Sequence, residues 1–227
     1  MGVRPYDDRF VAGDALAGEL RGYAGRDDVL VLGLPRGGVP VAGRVAAALE
    51  APLDVLVVRK LGLPGQPELA MGAVAGLGER VEVVRNARLA AGATEEQFDA
   101  VLTRESAEVR RRQRAYRGDR PPPRITGRAV IVVDDGLATG ASMRAALAAL
   151  NRHRPWRVVV AAPIGAPDTC VEIAADVDEV VCPWTPADFV AVGQGYRDFS
   201  PTSGDQVRTM LSWHGYAAGG PHPRTEE

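Results

Sequence analysis

Six short runs of apolar, mostly β-branched residues recur along the 227-residue chain, and they constrain its fold more than any other feature. Most of these runs do not alternate between apolar and polar residues, which is typical of strands that are covered on both faces. In chain order they are VLVLGL (29–34), LDVLVV (53–58), VEVV (81–84), AVIVVD (129–134), RVVVAAP (157–163) and VDEVVC (177–182). The chain is therefore expected to be built around buried strands.

Helical stretches stand between several of these runs. They are GVPVAGRVAAALE (38–50), GASMRAALAALNRH (140–153) and DTCVEIAAD (168–176). Because strand, helix and strand follow one another repeatedly, we expect an α/β fold with a central, mostly parallel sheet and helices on both faces. The length favours a single domain over residues 1–216, and the polar, Gly- and Pro-rich residues 217–227 are expected to form a disordered tail.

One long segment, from about residue 59 to 124, interrupts this alternation. It begins rich in Gly and Pro, and it ends with the stiff spacer Pro121–Pro123. Between these ends, residues 94–117 place apolar side chains on one helical stripe, and Thr94 with Gln97 forms a capping-box pattern. We therefore expect a long helix inside an insertion. Its arginines form either a lid over an anion or a solvated face paired with neighbouring glutamates: Arg104, Arg110, Arg111, Arg112, Arg114 and Arg117.

Charge and composition exclude several classes of partner. The formal net charge of −2 provides no overall basic field, so no nucleic acid is expected and any anion site must be local. No stretch approaches the ~18 apolar residues of a membrane span, and the first ten residues lack the apolar core of a signal peptide. Cys170 and Cys182 form neither a close metal-ligand pair nor a disulfide framework, which favours free thiols. We expect a cytoplasmic protein.

The stretch VIVVDDGLATGAS (130–142) carries the first candidate site. After its strand, Asp134 and Asp135 are expected at the carboxyl edge of the sheet, where open α/β sheets bind ligands. The turn that follows contains two glycines and two hydroxyl side chains and opens a helix, whose unpaired N–H groups favour a phosphate monoester. Carboxylates repel a phosphate, so these two are expected to bind something else. Two ribose hydroxyls and a divalent cation meet that requirement.

A second loop of the same kind lies in LGLPRGGVPVA (32–42), which also follows a strand and opens a helix. Gly37 and Gly38 expose backbone amides there, and Arg36 adds a planar, permanently charged guanidinium. The two loops thus predict two oxyanion sites on one sheet edge with carboxylates between them. That arrangement matches the shape of 5-phosphoribosyl 1-pyrophosphate (PRPP).

Residues 130–142 resemble the PRPP-binding signature of type I phosphoribosyltransferases, and PRGG (35–38) resembles the pyrophosphate loop of that family. The order of pyrophosphate loop, flexible loop, signature and C-terminal hood is also similar, and the resemblance covers most of residues 8–200. It implies a magnesium-dependent transfer of the 5-phosphoribosyl group to a nucleobase or similar nitrogen acceptor, a reaction of nucleotide salvage. It also implies that a homodimer is possible.

The resemblance also implies roles for individual residues. Asp134 and Asp135 would hold the ribose hydroxyls, directly or through Mg²⁺. Arg36, Gly37 and Gly38 would face the pyrophosphate, joined by Lys60, for which Arg59 is the alternative. The 5-phosphate would be wrapped by Ala138, Thr139, Gly140, Ala141 and Ser142.

The acceptor is left open. Enzymes for 6-oxopurines commonly carry an acid at the position of Ala138, so a hypoxanthine or guanine enzyme that uses this acid is disfavoured. A hood at about residues 182–202 would form the base pocket, with Asp198 for polar contacts and aromatic side chains for stacking. These are Trp184, Phe189, Tyr196 and Phe199. Two alternatives remain: a PRPP-binding regulatory protein, and an enzyme that uses PRPP without a base acceptor, such as a hydrolase.

Overall fold

A computed structural model describes residues 6–77, 80–86 and 90–213 of the chain. The helices are α1 (Arg9–Glu19), α2 (Gly38–Leu49), α3 (Glu95–Arg117), α4 (Ala141–Leu150), α5 (Pro167–Ala174) and α6 (Gly204–Trp213). The strands are β1 (Val29–Gly33), β2 (Leu53–Val55), β3 (Val57–Leu63), β4 (Gln66–Leu77), β5 (Arg80–Arg85), β6 (Ala129–Val133), β7 (Arg157–Ala161) and β8 (Glu179–Val181). The predicted disordered tail, 217–227, lies outside the described residues.

Five strands form the predicted parallel sheet, in the order β2-β1-β6-β7-β8. All four of its strand pairs are parallel. The chain moves from β1 to β2 in one direction and continues from β6 to β8 in the other, so the strand order reverses between β1 and β6. Ligands of open α/β sheets bind outside the carboxyl ends of the strands at such a reversal.

The apolar residues at successive positions of β1 and β6 explain why the sheet is covered on both faces, because neighbouring side chains of a strand point to opposite sides. Val31 and Val133 belong to a core cluster with residues of α1, α2, α3 and α6. Leu32 and Val132 belong to a second cluster with residues of α4 and α5. The two central strands are fully buried as a result.

The first half of the insertion differs from the sequence-based expectation. The run 53–58 divides at Leu56 into β2 and β3, which belong to different sheets. VEVV (81–84) does not join the parallel sheet, because it lies in β5 of an antiparallel sheet with the order β3-β4-β5. The insertion is thus a three-stranded antiparallel sheet followed by a helix, of which the helix was predicted and the separate sheet was not.

In the second half of the insertion, α3 confirms the long helix predicted over residues 94–117. Its N-cap Thr94 accepts a hydrogen bond from the Gln97 backbone, and the Gln97 side chain accepts one from the Thr94 backbone, so the capping box is present. At the other end, the buried Arg117 guanidinium donates to both carboxylate oxygens of Asp54 in β2, at 2.8 and 3.0 Å. Arg111 is exposed and Arg112 is half-buried, and both pair with Glu108, which favours the solvated face over an anion lid.

The hood follows β8 and packs against the N-terminal segment. The Tyr6 N–H donates to the Gly195 carbonyl at 2.7 Å, and the Arg197 N–H donates to the Tyr6 carbonyl at 2.8 Å. A small apolar cluster fills the space between them, with Ala12, Ile164 and Tyr196 buried at its centre. In the described part of the chain, no helix has both the length and the apolar composition that crossing a membrane requires.

Candidate functional site

The two glycine-containing loops leave the same edge of the parallel sheet. Gly33 at the end of β1 is paired with Val133 at the end of β6. One residue later, the Leu34 N–H donates to the Val133 carbonyl at 2.9 Å. The loop 34–37 and the signature loop 134–140 therefore begin side by side at the strand-order reversal.

Direct contact between the loops requires glycine at two positions. A methyl group built on Gly37 would lie 2.0 Å from Oδ2 of Asp135. One built on Gly38 would lie 2.7 Å from the Val133 carbonyl oxygen and 2.8 Å from Cα of Asp134. Because β-carbons essentially never approach other atoms this closely, the carboxylates reach their positions only against glycine. The residues predicted to face pyrophosphate and those predicted to hold ribose are thus neighbours.

Burial and a like charge act on the carboxylate of Asp134. Its Oδ1 accepts a hydrogen bond from the Asp135 N–H at 2.9 Å. Loss of solvent, followed by the negative charge of Asp135, raises the pKa of Asp134 well above its usual range. The Arg9 guanidinium acts in the opposite direction and lowers that pKa. The site therefore holds an acidic pair whose charge is partly balanced by one arginine.

Arg9, in the first turn of α1, is the site residue that sequence reasoning missed. Its Nε donates to Oδ2 of Asp135 at 2.8 Å, and its Nη1 donates to the Ser200 carbonyl at 2.8 Å. The guanidinium carbon also lies 4.0 Å from the centre of the Phe199 ring. One side chain thus joins α1, the signature loop and the hood. A single arginine at this distance along the chain gives no periodic or motif signal.

We expect Arg9→Met to lower the free energy of unfolding by about 2–4 kcal/mol, because it leaves the Asp135 carboxylate without its partner in a shielded position. The exposed pair Arg44–Asp14 supplies the matched control. The side chains of Arg9 and Asp135 are 10% and 16% exposed, whereas those of Arg44 and Asp14 are 49% and 51% exposed. Arg44→Met should therefore change stability by at most about 1 kcal/mol in urea unfolding. Equal losses in the two variants would contradict this account.

The signature turn presents most of its predicted phosphate-binding residues to solvent. Ala138, Thr139, Ala141 and Ser142 are exposed, whereas Gly140 is buried. Gly140 has φ of +69°, and α4 begins at the next residue. The backbone is held from behind, because Thr169 Oγ1 of α5 donates to the Ala138 carbonyl at 2.6 Å. Arg144 Nη1 donates to the Thr139 carbonyl at 2.7 Å.

The cationic residues predicted for pyrophosphate lie on different elements. Arg36 is exposed in the loop between β1 and α2, and the peptide bond that precedes it, Pro35–Arg36, is cis. Arg59 and Lys60 lie in β3 of the antiparallel sheet, where Arg59 Nε donates to Glu105 of α3 at 2.8 Å. Lys60 is exposed, and both residues line a groove of about 540 Å³ between α3 and the β3–β4 turn. Arg59 is thus held by a carboxylate, and the role of Lys60 stays a prediction.

The aromatic residues predicted for the base pocket differ in their exposure. Tyr196 is buried, and its hydroxyl donates to the Asp135 carbonyl at 2.5 Å. Burial raises the pKa of the Tyr196 hydroxyl above its usual value. The Phe199 ring stacks on Tyr196 with the ring centres 5.1 Å apart and is 38% exposed. Tyr196 therefore links the hood to the signature loop, and Phe199 is the more accessible ring.

The remaining hood candidates lie around this aromatic pair. Trp184 and Phe189 are half-buried beside the small cluster centred on Tyr196. Asp198 is exposed, and its Oδ1 accepts hydrogen bonds from the N–H and the hydroxyl of Ser200. A methyl group built on Gly136 would lie 2.4 Å from Val192 of the hood, so the hood rests directly on the signature loop.

A metal ion at this site needs ligands besides protein side chains. Within residues 6–77, 80–86 and 90–213, no cluster of three or more His, Cys, Asp or Glu side chains is arranged to hold a metal. Asp134 and Asp135 offer two carboxylates. Mg²⁺ commonly binds one or two carboxylates together with substrate oxygens and water, so the pair fits that ion when substrate is present.

Comparison with known proteins agrees with this architecture. A family model described as the phosphoribosyl transferase domain matches residues 6–198. A Mycobacterium tuberculosis (strain H37Rv) protein with the provisional name phosphoribosyl transferase Rv0571c is 51% identical over 212 residues, which are 92% of this chain and 47% of that protein. The chain thus spans about half the length of the curated relatives it matches at this level.

A solved structure covers nearly the whole chain. The crystal structure of TT1426 from Thermus thermophilus superposes with a TM-score of 0.81 and 42% sequence identity, over 94% of this chain and 100% of that one. A shorter match, 35% identical over 84 residues, joins 37% of this chain to 45% of the bifunctional protein PyrR of Brevibacillus brevis.

Proposed function

Because the chain belongs to the phosphoribosyl transferase family, we propose that it transfers the 5-phosphoribosyl group of PRPP to a nucleobase or similar nitrogen acceptor and releases pyrophosphate. One observation carries the proposal. The glycines of the first loop lie against the aspartates of the second, Gly37 beside Asp135 and Gly38 beside Asp134. The two glycine-containing loops and the two aspartates therefore lie next to one another where the strand order reverses, which is where open α/β sheets bind ligands.

Each part of PRPP has a counterpart in this arrangement. The turn formed by residues 138–142 would receive the 5-phosphate on backbone N–H groups at the start of α4. Asp134 and Asp135 would accept hydrogen bonds from the ribose hydroxyls. Arg36 and the backbone of the 36–38 loop would face the pyrophosphate. We propose that Lys60, which lies in β3, is a further cation that contacts the pyrophosphate.

The chemistry required of these residues is electrostatic. Breaking the bond between the anomeric carbon and pyrophosphate leaves negative charge on the leaving group and positive charge on the sugar. Arg36 and the loop amides would stabilise the departing charge, and the two aspartates would keep the sugar in place. The hood, resting on the signature loop through Val192 and Gly136, would exclude water from the reacting carbon.

Mg²⁺ fits this site as a substrate-bound ion. Bound there, it would neutralise phosphate charge and help pyrophosphate to leave. Asp134 and Asp135 would contribute carboxylate oxygens or hold the hydroxyls that the ion contacts. We further propose that the chain acts in cytoplasmic nucleotide salvage, and the family resemblance implies that a homodimer is possible.

The test measures pyrophosphate release from PRPP in the presence of Mg²⁺, with and without a panel of purine and pyrimidine bases. We expect release that depends on one base or a narrow group of bases, together with formation of the corresponding nucleotide. Equal pyrophosphate release with and without a base would indicate that the chain hydrolyses PRPP and does not transfer its phosphoribosyl group. Binding of PRPP in calorimetry without release under any condition would replace the enzyme by a PRPP-responsive regulator.

Gly37→Ala supplies a structural test of the shared pocket. The added methyl would lie 2.0 Å from Asp135 Oδ2, so the carboxylate must turn away from the first loop. We expect roughly 100-fold slower pyrophosphate release, because displacement of a positioning group by about 1 Å costs that order of rate. Gly22→Ala is the control, since nothing lies within 4 Å of a methyl built there. Unchanged pyrophosphate release in Gly37→Ala would contradict a pocket formed by both loops.

A further inference from the structure

The two cysteines of the chain meet in space. Cys170 lies in α5 and Cys182 directly follows β8. A methyl group built on Gly165 would lie 2.7 Å from Sγ of Cys170 and 3.0 Å from Sγ of Cys182, so both sulfurs border the same small space. The two thiols are close enough to influence each other's ionisation. Both residues are half-buried, which leaves them open to small reagents.

We propose that Cys170 and Cys182 form a reversible intramolecular disulfide when the chain meets a peroxide or a low-molecular-weight disulfide. The inference is independent of the proposed transfer reaction, because it rests only on the positions of the two sulfurs. Gly165 is essential to it. Any side chain at that position would enter the space on which both sulfurs border.

The surroundings of the thiols distinguish their roles. The neighbouring Cys182 thiol lowers the pKa of Cys170, whereas the neighbouring Cys170 thiol and burial raise the pKa of Cys182. Cys170 is therefore the thiol that ionises and attacks first. With hydrogen peroxide, its sulfur gains one oxygen to give a sulfenic acid, and water leaves. The Cys182 sulfur then displaces the sulfenic oxygen as a second water, so one peroxide and two thiols give one disulfide and two waters.

The bridge would join two supports of the candidate site. Helix α5 holds the signature turn through Thr169, whose hydroxyl donates to the Ala138 carbonyl. Cys182 is the first residue of the hood, and its thiol donates to the Trp184 carbonyl at 3.7 Å. That carbonyl also accepts the Gly165 N–H at 3.0 Å. Oxidation would remove the thiol donor at the base of the hood and tie this base covalently to α5.

The test uses the full chain, reduced and then treated with hydrogen peroxide or glutathione disulfide, with remaining thiols blocked by N-ethylmaleimide. We expect a monomeric product two hydrogens lighter, without maleimide adducts, and with a peptide linking Cys170 to Cys182. Dithiothreitol should restore both thiols. Full alkylation of both cysteines after oxidation, or disulfides only between chains, would overturn the proposal.

Three variants test the proximity of the two sulfurs, so the result does not depend on the correct folding of any single variant. Cys182→Ser should accumulate a sulfenic acid on Cys170 that dimedone traps, because the second sulfur is missing. Cys170→Ser should react with peroxide roughly tenfold more slowly, because the remaining thiol ionises poorly. Gly165→Ala keeps both cysteines but places a methyl group 2.7 Å from one sulfur and 3.0 Å from the other, so the sulfurs must shift and bridge formation should slow. Equal rates of bridge formation in Gly165→Ala and the unaltered chain would contradict the contact geometry.

Discussion

Asp134→Asn is expected to raise the unfolding temperature of the chain at neutral pH and to slow PRPP-dependent pyrophosphate release by roughly 100-fold or more. The two effects have one cause. Asp134 is desolvated beside Asp135, so its negative charge is unfavourable in the folded chain. An asparagine removes that charge, and its side-chain oxygen can still accept the Asp135 N–H. The same change removes a carboxylate that we assign to the ribose hydroxyls.

The pH dependence of stability gives the sign of this effect. The folded state raises the pKa of Asp134, so the unfolded chain releases this proton at lower pH than the folded chain. Stability is therefore lost as pH rises from the usual carboxyl range through the raised pKa. The Asn variant should lack this loss, and the difference in unfolding temperature should grow from acid to neutral pH in metal-free buffer.

The exposed Asp119 supplies the control for both measurements. Asp119→Asn removes one carboxylate two residues after α3 and should leave the unfolding temperature and pyrophosphate release close to those of the unaltered chain. Lower stability of Asp134→Asn at neutral pH would contradict an unfavourable charge on this carboxylate. Full pyrophosphate release in the variant would contradict its role at the ribose hydroxyls.

Arg117→Met is expected to lower the free energy of unfolding by about 3–5 kcal/mol. The Arg117 and Asp54 side chains are 5% and 3% exposed, and the arginine also donates to the Pro121 carbonyl at 2.6 Å. Removing the guanidinium leaves a buried carboxylate without its partner. The pair also joins the end of α3 to the edge strand β2, so its loss should loosen the insertion as well. Urea unfolding, followed by circular dichroism, measures the change.

Arg114→Met is the matched control, because Arg114 precedes Arg117 by one helical turn. It should change stability by no more than about 0.5 kcal/mol, as surface substitutions usually do. The double variant Asp54→Leu with Arg117→Met removes both charges and should recover much of the loss. A small loss in Arg117→Met, or no recovery in the double variant, would contradict a buried and mutually dependent pair.

The parallel sheet was predictable because its central strands carry their own signal. β1, β6 and β7 are apolar at nearly every position, and helical stretches follow the β1 and β6 runs in the sequence. The start of α3 was predictable for a similar reason, since Thr94 and Gln97 form its capping box. Local patterns of this kind agree with the packed fold, so they predict an element without knowledge of its tertiary contacts.

The antiparallel sheet was not predictable by the same means. β3 and β4 contain glycines, prolines and charged residues, including Arg59 and Lys60, that weaken a strand signal. Their pairing supplies the stability that the individual sequences lack. Nothing in the sequence around Leu56 indicated that the residues before it would join the parallel sheet and those after it the antiparallel sheet. Such a division depends on where the neighbouring strands lie.

The loops of the candidate site were found by motif, but the residue that joins them to the hood was not. Asp134, Asp135, Gly37 and Gly38 stand in two short stretches whose residue types are informative on their own. Arg9 contacts Asp135 across 126 positions of sequence. The contact between the two cysteines depends in the same way on the return of β8 beside α5. Contacts of this kind follow only from the packed structure.

The most direct test of the shared pocket is a crystal structure of the chain with PRPP and Mg²⁺ bound. We expect the 5-phosphate on residues 138–142, the pyrophosphate on residues 36–38 and the ribose hydroxyls beside Asp134 and Asp135. PRPP bound at another surface, or with its sugar turned away from these two carboxylates, would contradict the account.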